Sequence, residues 1–319
     1  MTTKTDFICG IIPAAITPMT ENEQLDERGL EQLLDHLIAA GVDGVFTVGT
    51  AGEFWALSVE EKKRIYEWTV AYARGRVPVY VGTCANTTRE AVLLAELAQE
   101  AGADCLSVLT PTFIAPSEKQ MFEYYRAIAR AVDLPVLLYT NPDRTGNSLS
   151  VDLVVRLASE VENIVGIKDS AGDMTLTTEY LRQTPEEFHV LMGRDTLIYA
   201  GLVHGASGAI AASANIAPEL SVSIFENFAW GKLDEALACQ RSLVPLRLAF
   251  KLGTFPAVLK AGAELLGLPA GPPRAPVGRL EAAERQQLRA VLVQMGKLEA
   301  GARETQVKMR EPEEELQPN

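Results

Sequence analysis

A lysine set directly behind a short apolar run is the residue of this chain that points most clearly to chemistry. Residues 164–170 read Ile-Val-Gly-Ile-Lys-Asp-Ser, a run that suits a strand buried on both faces. Lys168 stands at its C-terminal end. An amine at the mouth of a buried strand is poorly hydrated, which favours its neutral, nucleophilic form. Such an amine condenses with a ketone to a Schiff base, which then serves as an electron sink. Taken alone, the segment reads first as a strand cap with Lys168 paired to Asp169 in solvent, because perturbed lysines are uncommon. Other segments reverse that preference by ending in groups an imine would need. Gly49-Thr50-Ala51-Gly52 is a glycine-flanked turn that offers converging N–H groups to a carboxylate, or an ordinary tight turn. Tyr139 is either a general acid–base for a carbinolamine or a core tyrosine with a satisfied hydroxyl. Arg144 presents a planar fork to a second carboxylate or is a surface charge. Gly205-Ala206-Ser207-Gly208 could hold a phosphate, although close backbone packing beside the lysine explains its glycines better.

The elements that carry these residues alternate. Apolar runs at 11–16, 44–49, 77–84, 105–109, 135–140, 164–170, 189–192 and 206–212 are expected strands. They recur roughly every 25–35 residues, the size of one βα unit. Amphipathic stretches lie between them, the first over 27–40 up to Gly41. Ser58–Glu61, Thr87–Glu90 and Ser117–Gln120 have the capping-box spacing that opens a helix. Eight such units imply a (β/α)8 TIM barrel, whose active site lies at the C-terminal ends of its strands. A doubly wound sheet would instead show G-x-G-x-x-G after the first strand, where this chain has Pro13-Ala14-Ala15-Ile16-Thr17-Pro18. After Pro218 the pattern is helical, over 219–230, 233–250, 256–266 and 281–299, with a proline-rich break at 269–276. The expected organisation is a barrel over 1–230 and a C-terminal helical appendage over 231–299. The Glu-rich stretch 300–319 reads as a disordered tail.

Composition excludes several classes. The 319 residues are 47% hydrophobic and 22% charged, with a formal charge of −13. No basic stripe is available for nucleic acid or an anionic membrane. Cys9, Cys84, Cys105 and Cys239 show no CxxC spacing, which suits reduced thiols in a cytoplasmic protein. His36, His189 and His204 are scattered, so no metal site is expected. No signal-like or membrane-spanning run is read at the N-terminus or elsewhere.

Three motifs together resemble the pyruvate-dependent class I aldolases and lyases that include dihydrodipicolinate synthase and N-acetylneuraminate lyase. Gly49-Thr50-Ala51-Gly52-Glu53 is similar to that family's pyruvate-carboxylate turn. Leu138-Tyr139-Thr140-Asn141-Pro142 is similar to its Y-N-x-P segment, and Gly166-Ile167-Lys168-Asp169 to its Schiff-base strand. The resemblance spans roughly residues 8–299. It implies Lys168, Tyr139 and Thr50 as catalytic residues, and Ala51, Gly52, Arg144, Gly193, Ile210 and Phe113 as substrate-binding ones. It also implies a homotetramer of tight dimers, no metal and no dissociable cofactor, with the substrate held as an imine on Lys168. Ala51 departs from the family's usual hydroxyl residue, and Phe113 stands where the synthases place a tyrosine supplied across the dimer. Thr140 and Asn141 are exchanged relative to the usual order. Arg144-Thr145-Gly146 resembles the lysine-pathway synthases, whereas Glu53-Phe54-Trp55 resembles sugar-acid aldolases and dehydratases. The expected reaction joins pyruvate, or another 2-keto acid, to an aldehyde, or releases it. Aspartate semialdehyde is one candidate partner and a 2-keto-3-deoxy sugar acid the alternative substrate. A catalytically silent keto-acid-binding barrel is the non-enzyme reading.

Overall fold

The computed structural model describes residues 5–299. Eight parallel strands alternate with helices: β1 (Gly10–Pro13), β2 (Val45–Thr47), β3 (Val79–Gly82), β4 (Cys105–Leu109), β5 (Val136–Thr140), β6 (Ile164–Asp169), β7 (His189–Met192) and β8 (Gly208–Ala211). Hydrogen-bonded neighbours run β1-β8-β7-β6-β5-β4-β3-β2. A parallel bridge between Ala14 and Phe46 closes the ring between β1 and β2. This is the (β/α)8 TIM barrel expected from the strand spacing.

Several strands are shorter than their apolar runs, β3 and β8 among them, and for β1 and β2 the local reason is plain. After Pro13 the chain transfers its hydrogen bonds from one neighbour to the other. Ala14 N–H still donates to Ala211 O at 3.0 Å, but Ala15 N–H donates to Phe46 O at 2.8 Å. The second strand stops at Thr47 because Val48 takes φ 53°, a left-handed conformation that β-branched residues avoid. That bend throws residues 49–53 across the barrel mouth.

The outer helices begin as the sequence leads one to expect. Ser58 and Ser117 each close a reciprocal capping box, with Glu61 and Gln120 respectively. At Thr87 only half of it forms: the hydroxyl accepts from Glu90 N, with no return bond from the Glu90 side chain. Strand and helix side chains merge into one large apolar cluster that fills the barrel and the layer around it.

Helices Leu233–Ala249, Ala257–Leu265 and Ala282–Gln294 follow the helix after β8. The first packs along Pro218–Ala229 and the three contact one another directly or through the turn Phe250–Leu252. The last is expected to reach 299 but ends at Gln294, where Met295 caps it and Gly296 turns at φ 70°. No helix among the described residues is long and apolar enough to cross a membrane. The expected tail, 300–319, lies outside the described residues.

Candidate active site

Lys168 is the penultimate residue of β6 and sits directly opposite Tyr139 in the β5–β6 register. Side chains at paired positions of neighbouring strands share a face, so both point into the barrel mouth. Lys168 is 4% exposed. Its Nζ lies 4.2 Å from the centroid of the Tyr139 ring and 4.6 Å from that of Phe46. Two ring faces hold a cation by their quadrupoles, yet they leave the nitrogen's outer side open to a cavity of about 350 Å³.

The reading of Lys168 as a cap paired with Asp169 does not hold. Asp169 points to the opposite side of the strand, where its carboxylate accepts from Thr177 Oγ1 at 2.6 Å and Ala171 N at 2.9 Å. Burial pushes its carboxyl up from the ordinary carboxylate range, against the pull of those two bonds.

Tyr139 Oη stands 3.3 Å from Thr50 Oγ1 and accepts from Asn141 Nδ2 at 3.2 Å. Burial alone would raise this phenol. The Lys168 charge and bonds from Thr50, Asn141 and Ser170 outweigh burial, so the phenol ionises below its ordinary value. The exchanged order of residues 140 and 141 gains a meaning here. Thr140 faces the barrel wall, where its hydroxyl accepts from Leu149 N at 3.4 Å. The amide of Asn141 is what reaches the cavity.

The 49–53 turn contributes Thr50 and Ala51 to one wall. Their N–H groups donate to no backbone acceptor among the described residues. Amides in that state make a carboxylate cradle. Gly49 is required by a close approach: a Cβ there would fall 2.3 Å from the Phe46 ring that supports Lys168. Ile210 and Gly193 line the opposite wall. A Cβ at Gly193 would lie 1.9 Å from Ser170 Oγ, so only glycine fits between that hydroxyl and the cavity. Gly208, in the stretch first weighed as a phosphate loop, pairs directly with Gly10 across β8 and β1. Its role is strand packing.

Arg144 follows β5 and reaches the cavity rim, its guanidinium 4.7 Å from the Phe255 ring centroid. Arg194 also lines the cavity. It donates from Nε to Ser170 O at 2.9 Å and pairs through Nη2 with Asp143.

Two expected residues lie elsewhere. Gly52 is absent from the cavity lining; its carbonyl turns back to accept from Thr17 Oγ1 at 2.7 Å. It shapes the turn from behind. Phe113 is also outside the lining, fully exposed on the loop after β4 with φ 70°. Within one chain it cannot touch the substrate position. Glu53, which precedes the aromatics that resemble the sugar-acid enzymes, is completely buried and ion-paired with Lys260 at 2.7 Å. It fastens the turn to helix Ala257–Leu265 and is not a cavity residue.

Sequence reasoning missed the outer wall. Arg247, Phe250, Lys251 and Phe255 all reach the cavity from beyond the barrel. No local motif marks them; a cation and aromatic pattern on a helix end reads equally as surface.

The comparisons agree with this geometry. Residues 8–295 match the Dihydrodipicolinate synthetase family. A 4-hydroxy-tetrahydrodipicolinate synthase from Methanopyrus kandleri is 37% identical over 293 residues, 92% of this chain and 98% of that protein. The Bacillus subtilis protein of the same name is 34% identical over 282 residues, 88% of this chain and 97% of that one. Among solved structures, YagE, a prophage protein of the dihydrodipicolinic acid synthase family from E. coli K12, was crystallised in complex with pyruvate. It superposes with a TM-score of 0.89 at 35% identity, covering 91% of this chain and 99% of its own. With a barrel of this form, a lysine at the mouth of β6 and relatives matched along almost their whole length, the chain belongs to the dihydrodipicolinate synthetase family, as a lyase of its pyruvate-dependent, class I aldolase type.

Proposed function

We propose that Lys168 forms an imine with pyruvate and that the derived enamine adds to an aldehyde carrying a carboxylate, with aspartate semialdehyde one candidate. The single observation that carries the reading is the pair of linked contacts at the cavity floor: Lys168 Nζ against the Tyr139 ring, and the Tyr139 hydroxyl against Thr50. The amine attacks the keto carbon and gives a carbinolamine, which loses water to become the imine. Tyr139 supplies and recovers the protons of those steps, which suits a phenol held between two polar partners. Loss of a C3 proton gives the enamine, whose carbon bonds to the aldehyde carbon while the aldehyde oxygen takes a proton. Hydrolysis of the new imine frees the product and regenerates the amine. The amides of Thr50 and Ala51 hold the pyruvate carboxylate, without the hydroxyl that a residue other than Ala51 would add. Ile210 covers the methyl side, and Arg144 meets the acceptor's carboxylate.

Because Phe113 has no hydroxyl, the relay beyond Thr50 runs through water. Thr50 also borders a second cavity of about 470 Å³, which offers that water a place. The reading needs neither a metal nor a dissociable cofactor. It includes a cytoplasmic location and assembly as a dimer of tight dimers, supported by an acidic chain and the uncovered Phe113. The silent-barrel reading is disfavoured by the intact contact between Lys168 and Tyr139.

Incubation with pyruvate and borohydride should trap a covalent adduct on the peptide containing Lys168, read by mass spectrometry. Absence of an adduct with every 2-keto acid tried would remove the Schiff-base mechanism. The second reading, a 2-keto-3-deoxy sugar acid aldolase or dehydratase, draws on the absence of a tyrosine at Phe113. A panel of aldehydes with pyruvate, scored by product mass, separates the two: neutral aldehydes such as glyceraldehyde should lead if the sugar-acid reading is right.

A further inference from the structure

The outer side of the cavity is walled by the segment that follows the barrel. Helix Leu233–Ala249 and the turn Phe250–Leu252 bring Arg247 and Lys251 to it. With Arg144 and Arg194 they set four cations around the acceptor end, against two carboxylates, Asp143 and Asp195, among the described lining residues. Both carboxylates are engaged already. Asp143 pairs with Arg194. Asp195 accepts from Ser213 N at 2.8 Å and Ser213 Oγ at 2.6 Å, with Arg247 Nε 3.3 Å from its other oxygen.

Positive charge is therefore left over. Arg144 and Lys251 have no carboxylate partner among the described residues, and Arg247 approaches Asp195 through Nε at 3.3 Å. Two of the guanidiniums rest on aromatic faces, Arg144 on Phe255 at 4.7 Å and Arg247 on Phe250 at 4.9 Å. A ring on one face fixes the plane of the fork while its N–H edge stays available to an anion. The chain as a whole carries −13, so a cationic concavity in it focuses anions at one place.

We propose that Lys251 and Arg247 form a second anion subsite beyond Arg144, which makes an aldehyde with two anionic groups a better acceptor than a one-carboxylate aldehyde such as aspartate semialdehyde. One anionic group lies on Arg144 and the other on the Arg247–Lys251 edge, while the keto acid's own carboxylate stays on the 49–51 turn. A neutral acceptor would leave this whole wall unmatched, and a monoanion would leave Lys251 unmatched. The assignment rests on the reading that Lys168 holds pyruvate as an imine.

The test is a calorimetric titration of the borohydride-reduced pyruvyl enzyme with acetate, succinate and tricarballylate at constant ionic strength. Succinate and tricarballylate should bind at least ten-fold more tightly than acetate. Lys251→Glu, at an exposed residue free of ion pairs among the described ones, should abolish most of that gain while changing acetate affinity much less. Equal binding of the three anions, no binding of any, or a gain that survives Lys251→Glu would each overturn the subsite. The same titration on untreated enzyme keeps the two ideas apart. If no adduct forms, the imine reading fails, and the untreated titration still decides for or against the anion subsite.

Discussion

Lys168 lies over two ring faces while its neighbour Asp169 is bonded elsewhere, so no carboxylate among the described residues holds it as a paired charge. Lys168→Ala should abolish borohydride trapping. Lys168→Arg should fold normally and stay inert, because a guanidinium does not give up its proton to become a nucleophile. Tyr139 is the next group in the sequence of proton transfers. Tyr139→Phe should lower turnover by roughly 10²–10⁴, the usual worth of a positioned acid–base group, with pyruvate affinity little changed. The phenol ionises below its ordinary value because the Lys168 charge and three bonds outweigh burial. Loss of its proton should therefore bend kcat/KM downward on an alkaline limb below about pH 10. Thr50→Val deletes one of the bonds that stabilise the phenolate, so that limb should move to higher pH in steady-state profiles. An unmoved limb would assign it to another group. These residues were legible in the sequence because each follows a buried run directly, and a barrel strand delivers its last residues to the mouth. Arg247 and Lys251 were not legible, since only the three-dimensional path of a helix after the barrel brings them there.

At the level of elements, the site depends on a link between the β2 turn and the C-terminal helices. Glu53, at the end of that turn, is buried and pairs with Lys260 at 2.7 Å, and it accepts from Arg274 N at 2.8 Å. Arg274 continues the link through a two-nitrogen contact with Glu61, both nitrogens at 2.8 Å. Removing one member of a buried pair strands the other's charge, which costs about 3–5 kcal/mol. Glu53→Ala should lower stability by that amount in denaturant titrations, and a change below about 1 kcal/mol would show that water reaches Lys260. Within Glu53-Phe54-Trp55, Glu53 anchors the turn, while Phe54 and Trp55, the aromatics that carry the sugar-acid resemblance, line the second cavity beside Thr50. Strand positions were read well where the apolar run and the pairing coincide, as at Cys105–Leu109 and His189–Met192. They were overread at β1 and β2, where the chain changes partner at Ala14 and bends at Val48 while its residues stay apolar. Hydrophobicity records burial, and burial continues past the last ladder bond.

At the scale of the molecule, an acidic chain presents an apolar residue that its own fold does not cover. Phe113 is 100% exposed and its neighbour Ile114 46%. Phe113 also adopts φ 70°, a conformation that costs a non-glycine residue of order 1–3 kcal/mol and persists where something compensates for it. Covering a phenylalanine returns about 1.5–3 kcal/mol, enough to offset that cost if a partner chain supplies the cover. An interface at this loop would also border the second cavity, which Thr112 lines beside Thr50. Assembly and the proton path would then meet at one place. Phe113→Asp sets a charge at the centre of such a contact, where its desolvation opposes association. In sedimentation experiments the wild type should run as four 34.6 kDa chains, and Phe113→Asp should shift toward smaller species. Borohydride trapping on Lys168 should survive the change, since the residue lies outside the cavity of its own chain. An identical size distribution for the two proteins would place the interface elsewhere and leave the strained loop without a role in assembly.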